Sequence, residues 1–133
     1  MIHLTPEQRV FVTERHLATL TTLRADGTPH VVPVAFTWDP ERGIARVTTK
    51  KSSVKARNAR GYSEVPPRAV LCQVDGGRWI TIEGTARVSE DPNEIAHALK
   101  RYAQRYRTLE EDPVRVLIEI TADKVMSSTY MAR

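Results

Sequence analysis

Short stretches in which apolar and polar residues alternate recur along the chain, separated by polar turns, a pattern typical of β-strands joined by hairpins. In the clearest stretch, every second residue from Ile80 to Val88 falls on one apolar face. The pattern predicts six strands and a short seventh piece, at residues 17–23, 29–38, 44–49, 68–74, 78–88, 113–120 and 124–126. Two successive hairpins over the first three strands predict an antiparallel meander. Pro33 cannot donate to a strand ladder, so the second strand is expected to have an edge or a bulge there.

Helical segments interrupt these strands, and two of them have local start signals. Thr5 is expected to cap the first helix, because Pro6 suits a first turn and Gln8 completes a capping box. Ser52 or Ser53 is the expected cap of the second helix. The predicted helices run from about residue 6 to 15, from 53 to 60, and from 89–92 to about 106. This mixture predicts a mainly β protein with short helices, arranged as a small closed or partly closed barrel.

Length and composition are typical of a globular protein with one domain over residues 1–133. The net charge of +4 favours anionic partners, which include acidic metabolites and nucleic acids. The single Cys72 cannot form an internal disulfide, and no apolar run is long enough for a membrane span or a signal peptide. A cytoplasmic protein is therefore expected. The four histidines are too far apart in the sequence for a local metal motif, so no metal site is predicted.

The stretch 47–60 has the residue types of an anion-binding site. It is predicted to be the end of a strand, a polar turn and the start of a helix, whose free first-turn amides attract phosphate. Lys50, Lys51 and Lys55 add ammonium groups, and Lys51 and Lys55 lie one helical turn apart. Basic residues at a helix start are also typical of a solvated surface. Spacing alone leaves both interpretations open.

Other residues with functional potential each have a structural alternative. His30 opens a strand after a turn, where the sequence allows a surface position or a ligand contact. Trp79 follows two glycines and suits either stacking on a flat ligand or capping the core. The arginine- and tyrosine-rich run 101–107 suits a nucleic-acid surface, but cations near a helix C-terminus also complement its dipole, and we favour that structural role. No nucleophilic triad is present, so the residues alone do not name a reaction.

Several longer runs resemble a known superfamily. The run 17–34 (LATLTTLRADGTPHVVPV), with IARVTT at 44–49 and SVKARN at 53–58, resembles the split β-barrel flavin and deazaflavin oxidoreductases, which include pyridoxamine 5′-phosphate oxidase. The runs QVDGGRWITIEGTA at 73–86 and RYAQRYRT at 101–108 are similar to the branch that uses the deazaflavin coenzyme F420, most closely its biliverdin reductases. The resemblance implies a six- to seven-stranded antiparallel split β-barrel, the FMN-binding split barrel, that forms a homodimer with shared cofactor sites.

The resemblance also assigns the anion site to the phosphate of the cofactor. It implies that Lys55 is the principal phosphate lysine, that Thr49 and Ser53 supply hydroxyl groups, and that Thr48 lies beside them. Family members often have a second basic residue immediately before this lysine, where this chain has Val54. Lys50 and Lys51 are expected to substitute for it.

The cofactor ring and tail have expected contacts as well. The strand residues expected to lie along the tricyclic ring, with backbone contacts, are His30, Val31, Val32, Pro33 and Val34. Trp79 replaces a polar ring contact of the FMN-binding relatives, which favours F420 over FMN. A basic track for the acidic tail of F420 is expected from Lys50, Lys51, Arg57 and Arg60. The resemblance places the site at a dimer interface, where Trp79 and the 101–107 run are candidates for contributions from the second copy.

The resemblance implies an F420-dependent oxidoreductase that transfers a hydride from the reduced deazaflavin to a conjugated organic substrate such as biliverdin. The expected partners are a small-molecule substrate and a second copy of the chain, with no nucleic acid and no membrane. No side chain stands out as the proton donor; bound water is expected, and Arg78 is the nearest candidate for orienting it. The alternatives are an FMN-dependent pyridoxamine 5′-phosphate oxidase-like enzyme, a non-catalytic tetrapyrrole or flavin carrier, and a nucleic-acid-binding module. Residues 130–133 lack the Arg-Leu-x-Pro close of pyridoxamine 5′-phosphate oxidase proper, so that activity itself is not expected.

Overall fold

The computed structural model describes all residues from Met1 to Arg133. The strands are β1 (Ala18–Leu23), β2 (Pro29–Val34), β3 (Thr37–Asp39), β4 (Ile44–Lys50), β5 (Arg68–Asp75), β6 (Arg78–Ser89) and β7 (Arg115–Ser127). The helices are α1 (Pro6–Phe11), α2 (Val54–Arg60) and α3 (Pro92–Arg105), and a 3-10 turn, Thr129–Ala132, follows β7. The predicted mainly β architecture with short helices is confirmed. No helix is both long enough and apolar enough to cross a lipid bilayer.

The seven strands form one antiparallel sheet in the order β2-β1-β5-β6-β7-β4-β3. The two edge strands, β2 and β3, are joined by only two residues, Ala35 and Phe36. Because a connection of two residues spans no more than about 10 Å, the two edges of the sheet meet at this corner. The sheet therefore curls into a barrel that stays open between β2 and β3. Pro33 lies on β2, which pairs with β1 alone, so the edge position expected for this proline is confirmed.

The barrel interior is filled by inward-facing residues of every long strand. A cluster of 20 buried apolar residues forms the core, and its fully buried members include Leu20, Leu71, Ile82, Ile118 and Ile120. The alternation predicted for β6 is confirmed, because Ile80, Ile82, Gly84 and Ala86 are buried while their neighbours are partly or fully exposed. Side chains that were spaced by two in the sequence thus become one wall of the core.

The longest strand pair, β6 and β7, has an irregularity at Gly84. The register shifts between Glu83 and Gly84, so that Asp123 of β7 has no direct partner. A Cβ atom at position 84 would lie 2.0 Å from the carbonyl oxygen of Thr121. Only glycine permits this approach of the two backbones, and the bulge lets the strands bend around the core.

Two predictions about the N-terminal half are wrong. The first helix ends at Phe11 rather than near Arg15, although its Thr5 cap and the capping box with Gln8 are confirmed. The predicted strand 29–38 is two strands, because the chain leaves β2 after Val34 and enters β3 at Thr37. The predicted meander is therefore absent: β2 pairs with β1, while β3 pairs with β4 on the other edge.

One prediction about the C-terminal half is also wrong. The two pieces predicted at 113–120 and 124–126 form the single strand β7. Residues 116–120 are all buried, whereas most residues from 121 to 127 are partly or fully exposed. This change in pattern was interpreted as a break between two strands. The backbone continues because β7 lies between β6 and β4, which pair with it on both sides.

Candidate functional site

The turn between β4 and α2 has the geometry predicted for it. Ser53 is the N-cap of α2, and its hydroxyl oxygen accepts a hydrogen bond from the Ala56 amide at 3.2 Å. The Thr49 hydroxyl donates to the same Ser53 oxygen at 3.1 Å. The amides of Val54 and Lys55, at the first two helical positions, have no acceptor within the chain, as expected for a helix start. Two hydroxyl groups and two free amides therefore meet beside Lys55.

Helix α2 is fixed to the sheet by its buried face, which comprises Ala56, Asn58 and Ala59. The Asn58 side-chain amide donates to the Thr22 hydroxyl of β1 at 3.0 Å, and the Tyr62 hydroxyl donates to the Asn58 side-chain oxygen Oδ1 at 2.5 Å. Gly61, with φ of 83°, ends the helix in a conformation that favours glycine. The exposed face of α2, which carries Lys55 and Arg57, is thus held in a defined orientation.

The basic residues of this region have different surroundings. The Lys51 ammonium lies 2.9 Å from a Glu90 carboxylate oxygen, and both nitrogens of the Arg60 fork donate to the Lys51 carbonyl oxygen at 3.2 Å. Lys50 is exposed and Lys55 is half-buried, and neither has an ion pair. Two members of the predicted four-residue basic track thus have partners within the chain, and the track itself stays a prediction.

His30 on β2 belongs to the same region as Lys55. Its Nδ1 atom is buried and has no hydrogen-bond partner. Burial lowers the pKa of His30, and the positive charges of Arg24 and Lys55 lower it further. The ladder also places His30 directly across from Thr22, the residue that binds Asn58 of α2. The structure therefore places Lys55, Ser53, Thr49 and His30 in one region, and their role in cofactor binding stays a prediction.

The remaining residues of β2 present an exposed edge. Pro29, Val31 and Pro33 point outward, whereas Val34 is buried. Because β2 has a neighbour on one side only, about half of its backbone N–H and C=O groups face away from the sheet. Those groups are free to contact a ligand that lies along the strand.

A cavity of about 410 Å³ adjoins α2 and the β1–β2 turn. Arg57 lines it, as do Arg24 and Tyr62, which the sequence did not single out. The β1–β2 hairpin brings its turn, with Arg24, next to α2 and Tyr62, although these segments are distant in the sequence. Arg24 donates to the Pro29 carbonyl oxygen at 2.6 Å, which holds its guanidinium at the hairpin.

Trp79 and Arg78 lie far from Lys55 within one chain. Across the sheet, His30 of β2 pairs with Thr22 of β1, which pairs with Ala69 of β5, which pairs with Gly84 of β6. Trp79 is five residues away from Gly84 along β6. At about 3.4 Å per residue, this offset is roughly 17 Å along the strand. A single chain therefore does not bring Trp79 to the phosphate residues.

Arg78 is held by two carboxylates. Its guanidinium donates to both Glu14 oxygens, at 2.8 and 2.9 Å, and to Asp75. It also covers the Phe11 ring, with its central carbon 4.7 Å from the ring centroid. The hydrogen bonds to Glu14 and then Asp75 raise the pKa of Arg78. These contacts give Arg78 a structural role at the β5–β6 turn.

Arg105, in the 101–107 run, has a structural role, but by contacts with other segments rather than by the predicted complement to the helix dipole. Its guanidinium donates to the carbonyl oxygens of Glu14 at 2.9 Å and Phe36 at 2.6 Å, and to the Gln73 side chain at 2.7 Å. Arg105 thereby fixes the C-terminal turn of α3 to the connection between β2 and β3.

One face of the sheet carries exposed apolar side chains. The register puts Leu23, Val31, Val74, Trp79 and Met126 on the outer face of the five strands β2, β1, β5, β6 and β7. Each is at least 36% exposed, and no helix covers this face of β2, β1 and β5 at these positions. Several large apolar side chains exposed on one surface are typical of an interface with another molecule.

This fold defines a split β-barrel protein. Residues 4–128 match the family described as pyridoxamine 5′-phosphate oxidase, and the chain belongs to that family. It is 50% identical, over 125 residues, to an F420H(2)-dependent biliverdin reductase of Mycobacterium tuberculosis (strain CDC 1551 / Oshkosh), with coverage of 94% of this chain and 88% of the relative. The resemblance seen in the sequence is confirmed.

Solved structures have the same fold. The conserved hypothetical protein Rv2991 from Mycobacterium tuberculosis superposes with a TM-score of 0.78 at 25% identity, over 96% of this chain and 86% of that one. A structure described as an F420 reductase superposes with a TM-score of 0.70 at 22% identity, over 89% and 94% of the two chains.

Proposed function

We propose that this protein is an F420-dependent oxidoreductase that transfers a hydride from the reduced deazaflavin to a conjugated organic substrate, with biliverdin as the first candidate. The observation that carries this proposal is the 50% identity to an F420H(2)-dependent biliverdin reductase along 94% of the chain. An alignment over 94% of the chain covers the β4–α2 turn, β2 and the β5–β6 hairpin, which together supply the proposed site.

The residues at the β4–α2 turn fit the phosphate of F420. Lys55 offers an ammonium with no ion pair, and Thr49 and Ser53 offer two hydroxyl groups within 3.1 Å of each other. The unpartnered Nδ1 of His30 and the free amides of Val54 and Lys55 add polar groups that lack partners in the chain. Charge-assisted hydrogen bonds to phosphate would satisfy these groups.

Each part of the proposed site has a separate task. Bound F420 in its reduced form supplies the hydride. Lys55, Ser53 and Thr49 hold the phosphate, with Thr48 and Lys50 beside them, while residues His30 to Val34 orient the ring along the free edge of β2. Arg57 and Arg24 line the adjoining cavity, where they attract the anionic tail. Holding the ring and substrate in one orientation lowers the entropic part of the barrier. Arg78 serves the fold in this proposal, since Glu14 and Asp75 hold its guanidinium.

We further propose that the active form is a homodimer. The exposed apolar face that includes Val31, Val74 and Trp79 supports this, because burying it against a second copy removes apolar area from water. The offset of roughly 17 Å between Trp79 and the Lys55 region, set by strand register, leaves a second copy as the source of any aromatic contact from this residue.

The test is a fluorescence titration of the purified protein with F420 and, in parallel, with FMN, followed by turnover of biliverdin with reduced F420. The proposal predicts saturable F420 binding, weaker FMN binding and consumption of biliverdin. Tighter binding of FMN would identify the FMN-dependent alternative. Biliverdin binding without turnover would identify a carrier, and strongly salt-dependent retention on DNA without F420 binding would indicate a nucleic-acid module.

A further inference from the structure

A second cavity, of about 250 Å³, lies between the C-terminal end of α1, the strand β3 and the last turns of α3. Its polar lining consists of Arg9, Thr13, Thr37, Arg101, Gln104 and Arg105. Three of the nine lining residues are arginines, and none is acidic. None of the residues proposed to bind the cofactor of their own chain lines this cavity, although Arg101, Gln104 and Arg105 belong to the 101–107 run that is a candidate for contacts from the second copy.

Two of these arginines, Arg9 and Arg101, have no acidic partner of their own. Arg9 is exposed at the end of α1 and has no ion pair. Arg101 lies 3.9 Å from an Asp39 carboxylate oxygen, but that same oxygen is held by Arg46 at 2.9 Å. Arg101 and Arg46 therefore share the single carboxylate of Asp39, so the two guanidinium charges together exceed the charge of that group.

The third arginine, Arg105, is bound to neutral oxygens only. Its partners are backbone carbonyls, including that of Phe36 at 2.6 Å, and the Gln73 amide oxygen at 2.7 Å. Burial lowers the pKa of Arg105, and its hydrogen bonds satisfy its donors without cancelling its charge. The cavity thus has three guanidinium groups and no carboxylate in its wall. The acidic groups nearest to it are Asp39, which Arg101 shares with Arg46, and Glu14, whose charge acts on Arg105.

Trp38 has an unpartnered polar atom next to this cavity. This residue lines the cavity and is only 8% exposed, and its indole nitrogen has no hydrogen-bond partner. A buried tryptophan N–H normally finds an acceptor. Gln104 and Thr37 add an amide and a hydroxyl group to the same wall. The lining is therefore rich in donors and has an excess of positive charge.

We propose that this cavity is a second ligand site, which binds the carboxylate or phosphate group of a small organic anion. The planar fork of arginine matches the oxygens of both groups through paired hydrogen bonds. A volume of about 250 Å³ is below the usual range for drug-sized ligands, roughly 300–1,000 Å³, so the ligand is a small metabolite rather than a tetrapyrrole.

Calorimetric titration at constant ionic strength tests this site, with succinate, citrate and inorganic phosphate as probes and succinamide as the neutral comparison. The two carboxylate probes and phosphate distinguish the two anion classes. We expect saturable binding of at least one anion, no binding of succinamide, and a loss of affinity of tenfold or more in Arg9→Gln and in Arg101→Gln. Arg9 is exposed, so its replacement leaves the fold intact.

Arg15→Gln is the matched control, because it removes the same charge from an exposed position outside the cavity. It should bind the anion as the unaltered protein does. Absence of saturable binding by all three anions, equal binding of succinamide, or an equal loss in Arg15→Gln would overturn the proposal. F420 binding is measured separately, so failure at this site leaves the proposed oxidoreductase function untouched.

Discussion

The Asn58 side-chain amide donates a hydrogen bond to the Thr22 hydroxyl across 3.0 Å, and each of the two residues is only 1% exposed. This contact fixes α2, which carries Lys55, to β1. Thr22 also faces His30 across the β1–β2 ladder. One buried hydrogen bond thus sets the position of the proposed phosphate residues relative to the strand proposed to hold the cofactor ring.

Thr22→Val should destabilise the protein by about 1–3 kcal/mol, because it removes the acceptor of the buried Asn58 amide while nearly conserving volume. Thr22→Ser, which keeps the hydroxyl, should cost less. The measurement is denaturant unfolding, and equal midpoints for the two variants would show that the hydrogen bond does not contribute.

The buried ion pair between Asp39 and Arg46 should make the free energy of unfolding fall at acidic pH. Burial acts to raise the pKa of Asp39, but the hydrogen bond from Arg46 and the charges of Arg101 and Arg46 outweigh it, so the pKa lies below its ordinary value of 3.8. The resulting stabilisation is present above about pH 4. It is lost as pH falls further, through the lowered pKa of the folded state.

Asp39→Asn should therefore cost about 3–5 kcal/mol near pH 7, because it leaves Arg46 buried without a counterion. The difference from the unaltered protein should shrink as pH falls below 4, and unfolding followed at several pH values measures it. Asp123→Asn, which breaks an exposed pair with Arg68, should have a much smaller effect. A pH-independent difference for Asp39→Asn would contradict this account.

His30 should titrate below its ordinary pKa of 6.5, chiefly because it is partly buried and secondly because Arg24 and Lys55 lie nearby. NMR titration of the imidazole protons measures this directly. Lys55→Ala should raise the midpoint slightly. Between the lowered pKa and 6.5 the unfolded chain binds more protons, so stability should rise with pH in that window and the slope should vanish in His30→Gln. A midpoint at or above 6.5 would show that the ring is solvated.

Val31→Lys should convert the proposed dimer into monomers, because it places a charge on the apolar face, at a residue that is 55% exposed. Val65→Lys is the control, since Val65 is 74% exposed in the loop after α2, away from that face. Sedimentation velocity distinguishes the two. A monomeric unaltered protein, or a dimer in both variants, would be evidence against the interface.

Features set by local sequence were predictable. The Thr5 capping box and the Ser53 cap depend on residues within one turn, so their positions were found correctly. The alternation along β6 likewise depends only on its own residues. The grouping of Lys55, Ser53 and Thr49 follows from the β4–α2 turn and needed no knowledge of the sheet.

Features set by distant contacts were not predictable from the residues. The break after Val34 depends on barrel closure, which moves the chain from one edge of the sheet to the other. The pairing of Lys51 with Glu90 joins segments that are 39 positions apart in the sequence. Arg105 binds carbonyl oxygens of three separate residues, and backbone acceptors leave no mark in the amino-acid pattern.

The most direct test of the central claim is calorimetric titration of F420 into the unaltered protein, Lys55→Ala and Lys100→Ala. Lys100 is an exposed lysine of α3 outside the proposed site, so it controls for the loss of one positive charge. A charge-assisted contact to phosphate is worth about 1.5–3 kcal/mol, so Lys55→Ala should weaken F420 binding by more than about tenfold while Lys100→Ala leaves it unchanged. Equal affinity for all three proteins would contradict the claim that Lys55 holds the phosphate of the cofactor.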